Sequence, residues 1–177
     1  MAHQAQQDFF TRVRSRFPWL FEAKRTLDVG SLDINGNNRY LFTDCEYVGI
    51  DIGAGNNVDV VIRGHEYDDE KKFGVVISSE CFEHDEFYRL TILNCIRLLD
   101  SGGIFLFSCA SDGRPEHGTR RTTPHDSPFT SELTNDYYCN LNEFDMRLVF
   151  NPEEIFREYE FSVNNDNHDL YFWGIKK

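Results

Sequence analysis

The sequence predicts one α/β domain over residues 1–177, in which a doubly wound sheet of seven strands lies between two helical layers. Short apolar runs alternate with helical or polar crossovers, a pattern typical of a mostly parallel sheet. The chain of 177 residues is long enough for one core but not for two of ordinary size. Its last two strand-like segments are joined by the turn residues "NNDN", which predicts a C-terminal antiparallel hairpin.

The first half of the chain predicts a helix and three strands. Apolar residues recur at helical spacing within 1–21, and Pro18 should end or kink that helix. The strands are "RTLDVG" at 25–30, "EYVGID" at 46–51 and "NVDVVI" at 57–62. The first two are apolar enough to be buried on both faces.

The second half continues the alternation. We expect strands at 73–79 ("FGVVISS") and 103–110 ("GIFLFSCA"), with a helix over 86–99 between them. Residues 111–145 are polar, contain three prolines and show little periodicity, which predicts a functional loop or lid on the acceptor side. A helix over "NPEEIFREY" at 151–159 and the hairpin of "EFSV" and "DLYFWGI" complete the chain.

Composition restricts the partners. The formal net charge of −12 disfavours nucleic acid and anionic membrane surfaces. We find no export signal and no apolar run of membrane-spanning length. Five widely spaced cysteines without a CxxC pair indicate reduced thiols, so we predict a cytoplasmic protein.

A ligand site is predicted where the parallel strands end. Asp51 closes the second strand 21 residues after Gly30 closes the first, close to the spacing of about 20 between a glycine turn and an acidic residue that holds a ribose. Asp51 could instead cap a turn. The loop "GSLDING" does not match G-x-G-x-x-G, and Asp33 would repel a phosphate, so a nicotinamide dinucleotide is disfavoured. A cationic ligand with a ribose suits the loop better.

The ordered set "LDVGS", "YVGID", "FGVVISSECFEH" and "LLDSGGIFLFS" resembles the Rossmann-like class I S-adenosylmethionine-dependent methyltransferases, especially the small methyltransferase type 11 group, over residues 25–110. The resemblance implies a set of cofactor contacts. Its members are Gly30 and Ser31 at the amino acid part, Asp51 and Ile52 at the ribose, Gly64 and His65 at the adenine, and Ser79 and Glu80 at the methionine side. Leu32 stands where the family has its second glycine.

Charge supports the same cofactor. Asp28, Asp33 and Glu80 give the loop an acidic field that complements a sulfonium. Alignment of the nucleophile with the methyl–sulfur bond can supply much of the acceleration, and a base is needed only if the nucleophile must lose a proton early.

Four residues are candidates for acid–base chemistry: His84, His117, His125 and Asp126. His84 could equally be a structural residue of a turn, and the other three could face solvent. The spacing of His117, His125, Asp126 and Cys109 matches no compact metal site, so we expect no metal.

The sequence therefore predicts a methyltransferase that acts on a small-molecule or saccharide-like acceptor. Two alternatives are a non-catalytic S-adenosylmethionine-binding protein or subunit and, less favoured, an NAD-dependent oxidoreductase. A homo-oligomer is compatible with the sequence.

Overall fold

The computed structural model describes residues 3–177, and its centre is a seven-stranded sheet of order β3-β2-β1-β4-β5-β7-β6. The strands are β1 (Arg25–Val29), β2 (Glu46–Asp51), β3 (Val60–Val61), β4 (Phe73–Ser79), β5 (Leu99–Ala110), β6 (Phe156–Asn164) and β7 (Asp169–Lys176). The helices are α1 (Gln4–Arg16), α2 (Tyr88–Leu98), α3 (Pro128–Leu133), α4 (Glu143–Val149) and α5 (Pro152–Ile155). The predicted doubly wound sheet with a C-terminal hairpin is confirmed.

The first five strands pair in parallel and the last two pair antiparallel. The order of the strands reverses between β1 and β4, so their carboxyl ends flank the switch point at which ligands bind in such sheets. Thr26 pairs with Val75 and Val29 with Ser78, which brings the turns after these two strands side by side.

Each face of the sheet has its own buried layer. On one face, Phe9, Phe10 and Val13 of α1 pack against the sheet with Val75 and Ile104. On the other face, Ile92 of α2 and Met146 of α4 lie in a second cluster built around many phenylalanines. Among residues 3–177, α1 is the only α-helix in the first cluster, and the connections between β1 and β4 hold the 3₁₀ turn Arg39–Leu41 but no α-helix.

Three predicted elements differ in detail. The N-terminal helix ends at Arg16, just before Pro18 as expected, but residues 18–20 form a separate 3₁₀ turn instead of continuing the helix; residues 1 and 2 lie outside the described part. Segment 111–145 is not structureless, because it holds α3, a 3₁₀ turn at Pro124–Asp126 and the start of α4. The predicted helix over 151–159 is wrong beyond Ile155, since β6 begins at Phe156, where pairing with β7 overrides the helical periodicity.

Within residues 3–177, no helix combines the length and the apolar character needed to cross a bilayer.

Candidate functional site

A deep pocket lies at the carboxyl ends of β1, β2 and β4. The empty space that its walls bound, open solvent at the mouth included, is about 1230 Å³. The candidate residues that line it are Asp28, Gly30, Ser31, Asp51, Ile52, Gly64, Ser79, Glu80, His84 and Asp126.

Gly30 forms the sharp turn at the end of β1. Its φ is +77°, and a Cβ at this position would lie 2.5 Å from the Cys81 Sγ. A side chain is therefore excluded by both the backbone conformation and the neighbouring turn. The absence of a side chain lets the loops after β1 and β4 meet at the pocket wall.

Asp51 organises the loop above that turn. Its carboxylate accepts hydrogen bonds from the backbone N–H of Leu32 at 3.0 Å and of Ile52 at 2.7 Å. The carboxylate thus does cap the turn, as the alternative interpretation held, yet it also lines the pocket. Two oxygens offer about four acceptor positions, so capping leaves capacity for a ligand. Burial raises the pKa of Asp51 above its usual value.

Asp28 lies deeper and is held by neutral donors. Tyr47 donates its hydroxyl to one carboxylate oxygen, and Asn38 donates to the other at 3.3 Å. Asn38 also donates to the Ser79 Oγ at 2.9 Å, which ties β1 to β4. Burial raises the pKa of Asp28 to about 6, because no cation compensates the desolvated charge directly.

Glu80 contributes a further carboxylate to the pocket. It has a φ of +50°, an uncommon conformation for a residue with a side chain, and its Oε2 is buried without a hydrogen-bond partner. Gln6 of α1 donates to the Ser108 Oγ at 2.6 Å and more weakly to the Glu80 Oε1 at 3.4 Å. Strain and an unsatisfied acceptor at one position are features of functional sites.

His84 lies in the 3₁₀ turn Phe82–His84, directly after β4. Its ring centroid is 5.1 Å from that of His117 and 5.4 Å from that of Tyr138. Burial lowers the pKa of His84 to about 3, so the imidazole is neutral and a weak proton acceptor. The adjacent Glu83 is fully buried, and desolvation raises its pKa to about 8.

Segment 111–145 closes one side of the pocket. Asp126, Ser127 and Phe129 line it, and the Phe129 ring packs so closely on Gly53 that a Cβ there would lie 2.5 Å away. His125 points elsewhere, with 79% of its side chain exposed.

Four of the candidates are not among the lining residues. Asp33 stabilises its own loop by accepting from the backbone of Gly36 and the side chain of Asn37. His65 packs against the Phe87 ring at a centroid distance of 4.5 Å. His117 lies beside His84, and His125 is exposed, as described above.

The lining residues that the sequence analysis missed include Gln6, Asn38 and Phe129. Gln6 lies on the helical face otherwise assigned to the core, Asn38 lies in the loop after β1, and Phe129 lies in the short helix α3; no motif marks the last two. A polar residue within an apolar helical face was the one available signal.

No protein-family model matches this sequence, and no curated protein resembles it closely enough to be matched. Several solved structures, however, are similar to this chain in fold. The N-methyltransferase NodS from Bradyrhizobium japonicum WM9, in complex with S-adenosylhomocysteine, is 14% identical over 94% of this chain and 87% of its own, with a TM-score of 0.59.

Two further solved structures are similar. The Burkholderia thailandensis 1,6-didemethyltoxoflavin-N1-methyltransferase, bound to 1,6-didemethyltoxoflavin and S-adenosylhomocysteine, is 14% identical over 100% of this chain and 92% of its own, with a TM-score of 0.61. The Haemonchus contortus phosphoethanolamine N-methyltransferase 2 is 14% identical, with a TM-score of 0.63, over a match that covers 96% of this chain and 52% of that protein. Strand order and these likenesses agree: the chain has the fold of the class I S-adenosylmethionine-dependent methyltransferases.

Proposed function

We propose that this protein binds S-adenosylmethionine in the pocket at the ends of β1, β2 and β4 and transfers its methyl group to a small-molecule acceptor. The observation that carries the proposal is the position of Asp51, which lines the pocket beside the Gly30 turn. Three solved structures of this fold, described above, are named as N-methyltransferases, and two of them hold a small molecule beside S-adenosylhomocysteine: phosphomonomethylethanolamine in one and 1,6-didemethyltoxoflavin in the other.

The residues present fit such a cofactor. Gly30 lines the pocket without a side chain, in a turn of positive φ that packs against Cys81, so its backbone is open to contact with an amino acid moiety. Asp51 retains acceptor capacity for the two ribose hydroxyls. Glu80 supplies a buried, unsatisfied carboxylate oxygen that can stabilise a nearby positive charge.

When bound, S-adenosylmethionine supplies a methyl group activated by a sulfonium. The chain's part is to bind, orient and exclude water. Phe129 and Leu32 provide apolar walls, and Asp28 and Glu80 provide the acidic side of the pocket. Holding two reactants in line lowers the entropic part of the barrier without a covalent intermediate on the protein.

The roles of the remaining candidates stay predictions. A neutral His84 lines the pocket, but a group with a lowered pKa accepts protons poorly at pH 7. Its position in the pocket wall still allows contact with the acceptor, so we expect His84→Ala to slow turnover with little effect on cofactor affinity. Asp126, also at the pocket, is a candidate for acceptor contact.

The direct test is calorimetric titration of the folded chain with S-adenosylmethionine and S-adenosylhomocysteine, followed by turnover assays on a panel of amine, hydroxyl and saccharide-like acceptors. Saturable binding of both nucleosides and methylation of a panel member are expected. Absence of binding would refute the proposal, whereas tight binding without turnover on any acceptor would favour the non-catalytic alternative.

A further inference from the structure

Glu83, His84 and His117 form a cluster that the proposed function does not use fully. One carboxylate oxygen of Glu83 and one ring nitrogen from each histidine lie within 4.8 Å of one another. Glu83 and His84 lie in the turn after β4, and His117 follows β5. Since β4 and β5 are paired neighbours, their carboxyl ends bring these distant residues together.

Each of the three side chains has a buried polar atom without a hydrogen-bond partner. These atoms are the Glu83 Oε2, the His84 Nδ1 and the His117 Nε2. Glu83 is fully buried, and His84 is 9% exposed. Three unsatisfied acceptors or donors in one place are costly, because buried polar groups are normally hydrogen-bonded. A shared cation would satisfy all three.

In two of the three side chains, those of His117 and Glu83, a second polar atom is already held as in metal ligands. His117 Nδ1 lies 3.2 Å from the carbonyl oxygen of Pro115. Donation from Nδ1 to that carbonyl leaves the lone pair on Nε2, the tautomer that a ligating histidine requires. Glu83 Oε1 accepts from the Ala110 backbone N–H at 3.2 Å, which orients its free Oε2.

The backbone is also shaped to keep the histidines together. Gly118 has a φ of +66°, and a Cβ there would lie 2.7 Å from the His84 Cε1. Tyr138 packs against both imidazoles, with centroid distances of 5.4 Å to His84 and 5.0 Å to His117. The Cys139 backbone N–H donates to the Glu83 carbonyl at 2.9 Å, so segment 111–145 is anchored over the cluster.

We propose that Glu83, His84 and His117 bind one first-row divalent transition-metal ion at the edge of the pocket. Two imidazoles and one carboxylate suit Zn²⁺, Co²⁺ or Fe²⁺ and leave coordination positions open, whereas Mg²⁺ and Ca²⁺ prefer all-oxygen sets. Ligands at about 2.1 Å from a tetrahedral ion lie about 3.4 Å apart, so small side-chain movements would close the set around an ion.

A second cluster, formed by His3, Glu80 and Asp169, is less suited to an ion. Asp169 is already paired with Arg114 at 2.8 Å and accepts from the Tyr171 hydroxyl at 3.0 Å. Its charge is thus compensated without a metal, which makes the first cluster the better site.

The location gives the ion a role that depends on the proposed function. His84 lines the pocket, so an open coordination position there would accept an oxygen or nitrogen atom of the acceptor. A bound hydroxyl would lose its proton more readily, because a divalent cation stabilises the anion. We therefore expect the preferred acceptor to carry a metal-binding hydroxyl or amine.

The test uses the full chain after removal of metals with a chelator. Titration with Co²⁺, followed by visible absorption, and with Zn²⁺, followed by calorimetry, should show one ion per chain. His117→Ala and Glu83→Gln should each weaken binding by at least about tenfold. His125→Ala, which removes an exposed imidazole from the same segment, should bind as the unaltered protein does.

Two outcomes would overturn the metal site. One is failure of the chelated, folded protein to bind either ion, and the other is binding that His117→Ala leaves unchanged. S-adenosylhomocysteine titrations of chelated and metal-loaded protein separate the two proposals. Cofactor binding without metal binding would refute the metal site alone, and metal binding without cofactor binding would refute the proposed function alone.

Discussion

At the scale of single residues, the pocket is distinguished by carboxylates that lack a cationic partner of their own. Asp28 accepts only from the neutral Tyr47 and Asn38, and Asp51 accepts from backbone amides. Burying such charges is costly unless a ligand compensates them. The surroundings of these residues therefore favour a cationic ligand over a phosphate.

Asp51 should contribute to cofactor affinity. We expect Asp51→Ala to weaken S-adenosylhomocysteine binding by about 1–3 kcal/mol, because buried hydrogen bonds to the ribose are lost. Calorimetric titration measures the change. Glu70→Ala removes an exposed negative charge near the amino end of β4 and serves as the control, which should bind normally. Equal affinities for the two variants would contradict the assignment.

Asp28 should make stability depend on pH. Its folded pKa is raised to about 6 from 3.8, so the folded state binds the proton more tightly than the unfolded state. Stability from this group is thus present at low pH and lost as pH rises from about 4 through about 6. Asp28→Asn should flatten that decline and leave the variant more stable at pH 7, by on the order of 1–2 kcal/mol. Urea denaturation between pH 4 and pH 8 checks this, and parallel profiles for the two proteins would refute it.

At the scale of elements, the turn after β1 is the most constrained part of the site. Gly30 and Gly102 share a φ of +77°, but only Gly30 faces a neighbour that a Cβ would strike; around Gly102 nothing lies within 4 Å. Substitutions at these two glycines therefore distinguish the cost of a steric clash from the cost of backbone strain. Strain alone costs about 1 kcal/mol or more at either position.

We therefore expect Gly30→Ala to destabilise the protein by clearly more than Gly102→Ala and to weaken cofactor binding as well. The Gly102 variant should lose only the strain energy and bind normally. Chemical denaturation and calorimetric titration of both variants provide the comparison. Equal losses of stability would contradict this prediction, because they would mean that the turn after β4 can shift to accommodate a side chain at position 30.

The segment over the pocket can be tested through its aromatic residues. Phe129 packs on Gly53 and lines the pocket, whereas Phe144 is 69% exposed. Phe129→Ala should weaken S-adenosylhomocysteine binding by about 1–3 kcal/mol through the loss of an apolar wall. Phe144→Ala should leave the affinity unchanged, and a similar loss in both variants would indicate a general effect on the segment.

At the scale of the whole molecule, an aromatic core unites the hairpin with the parallel sheet. Phe172 of β7 is fully buried and contacts Phe105 and Phe107 of β5, Phe156 and Phe161 of β6, and Phe150 after α4, among others. The hairpin therefore closes the core that supports α2 and α4.

Truncating Phe172 should be among the costliest single changes. We expect Phe172→Ala to lower the free energy of unfolding by about 3–5 kcal/mol, since it removes buried contacts and leaves a cavity. Val163→Ala, at a position 52% exposed in the same hairpin, should cost far less. Chemical denaturation of both variants measures the free energy of unfolding. Comparable losses of stability in the two variants would refute this account of the core.

The sequence alone predicted the doubly wound α/β sheet with its C-terminal hairpin, which the structure confirms, and it predicted a ligand site where the parallel strands end. Strand and helix periodicities are local, and the Gly30–Asp51 spacing follows from one crossover between neighbouring strands. The sequence-based prediction was wrong where tertiary pairing outweighs local preference. At Phe156, for example, a strand begins within a helical sequence pattern.

Only the tertiary structure decided which candidates meet. Glu83 and His84 are separated from His117 by a helix and a strand, and no short spacing records their contact, so the sequence gives no sign of a metal site. Likewise, Asp33 turns to its own loop and His125 to solvent, although both looked equivalent to residues that line the pocket. Strand pairing sets these neighbours, because adjacent carboxyl ends bring together loops that are far apart along the chain.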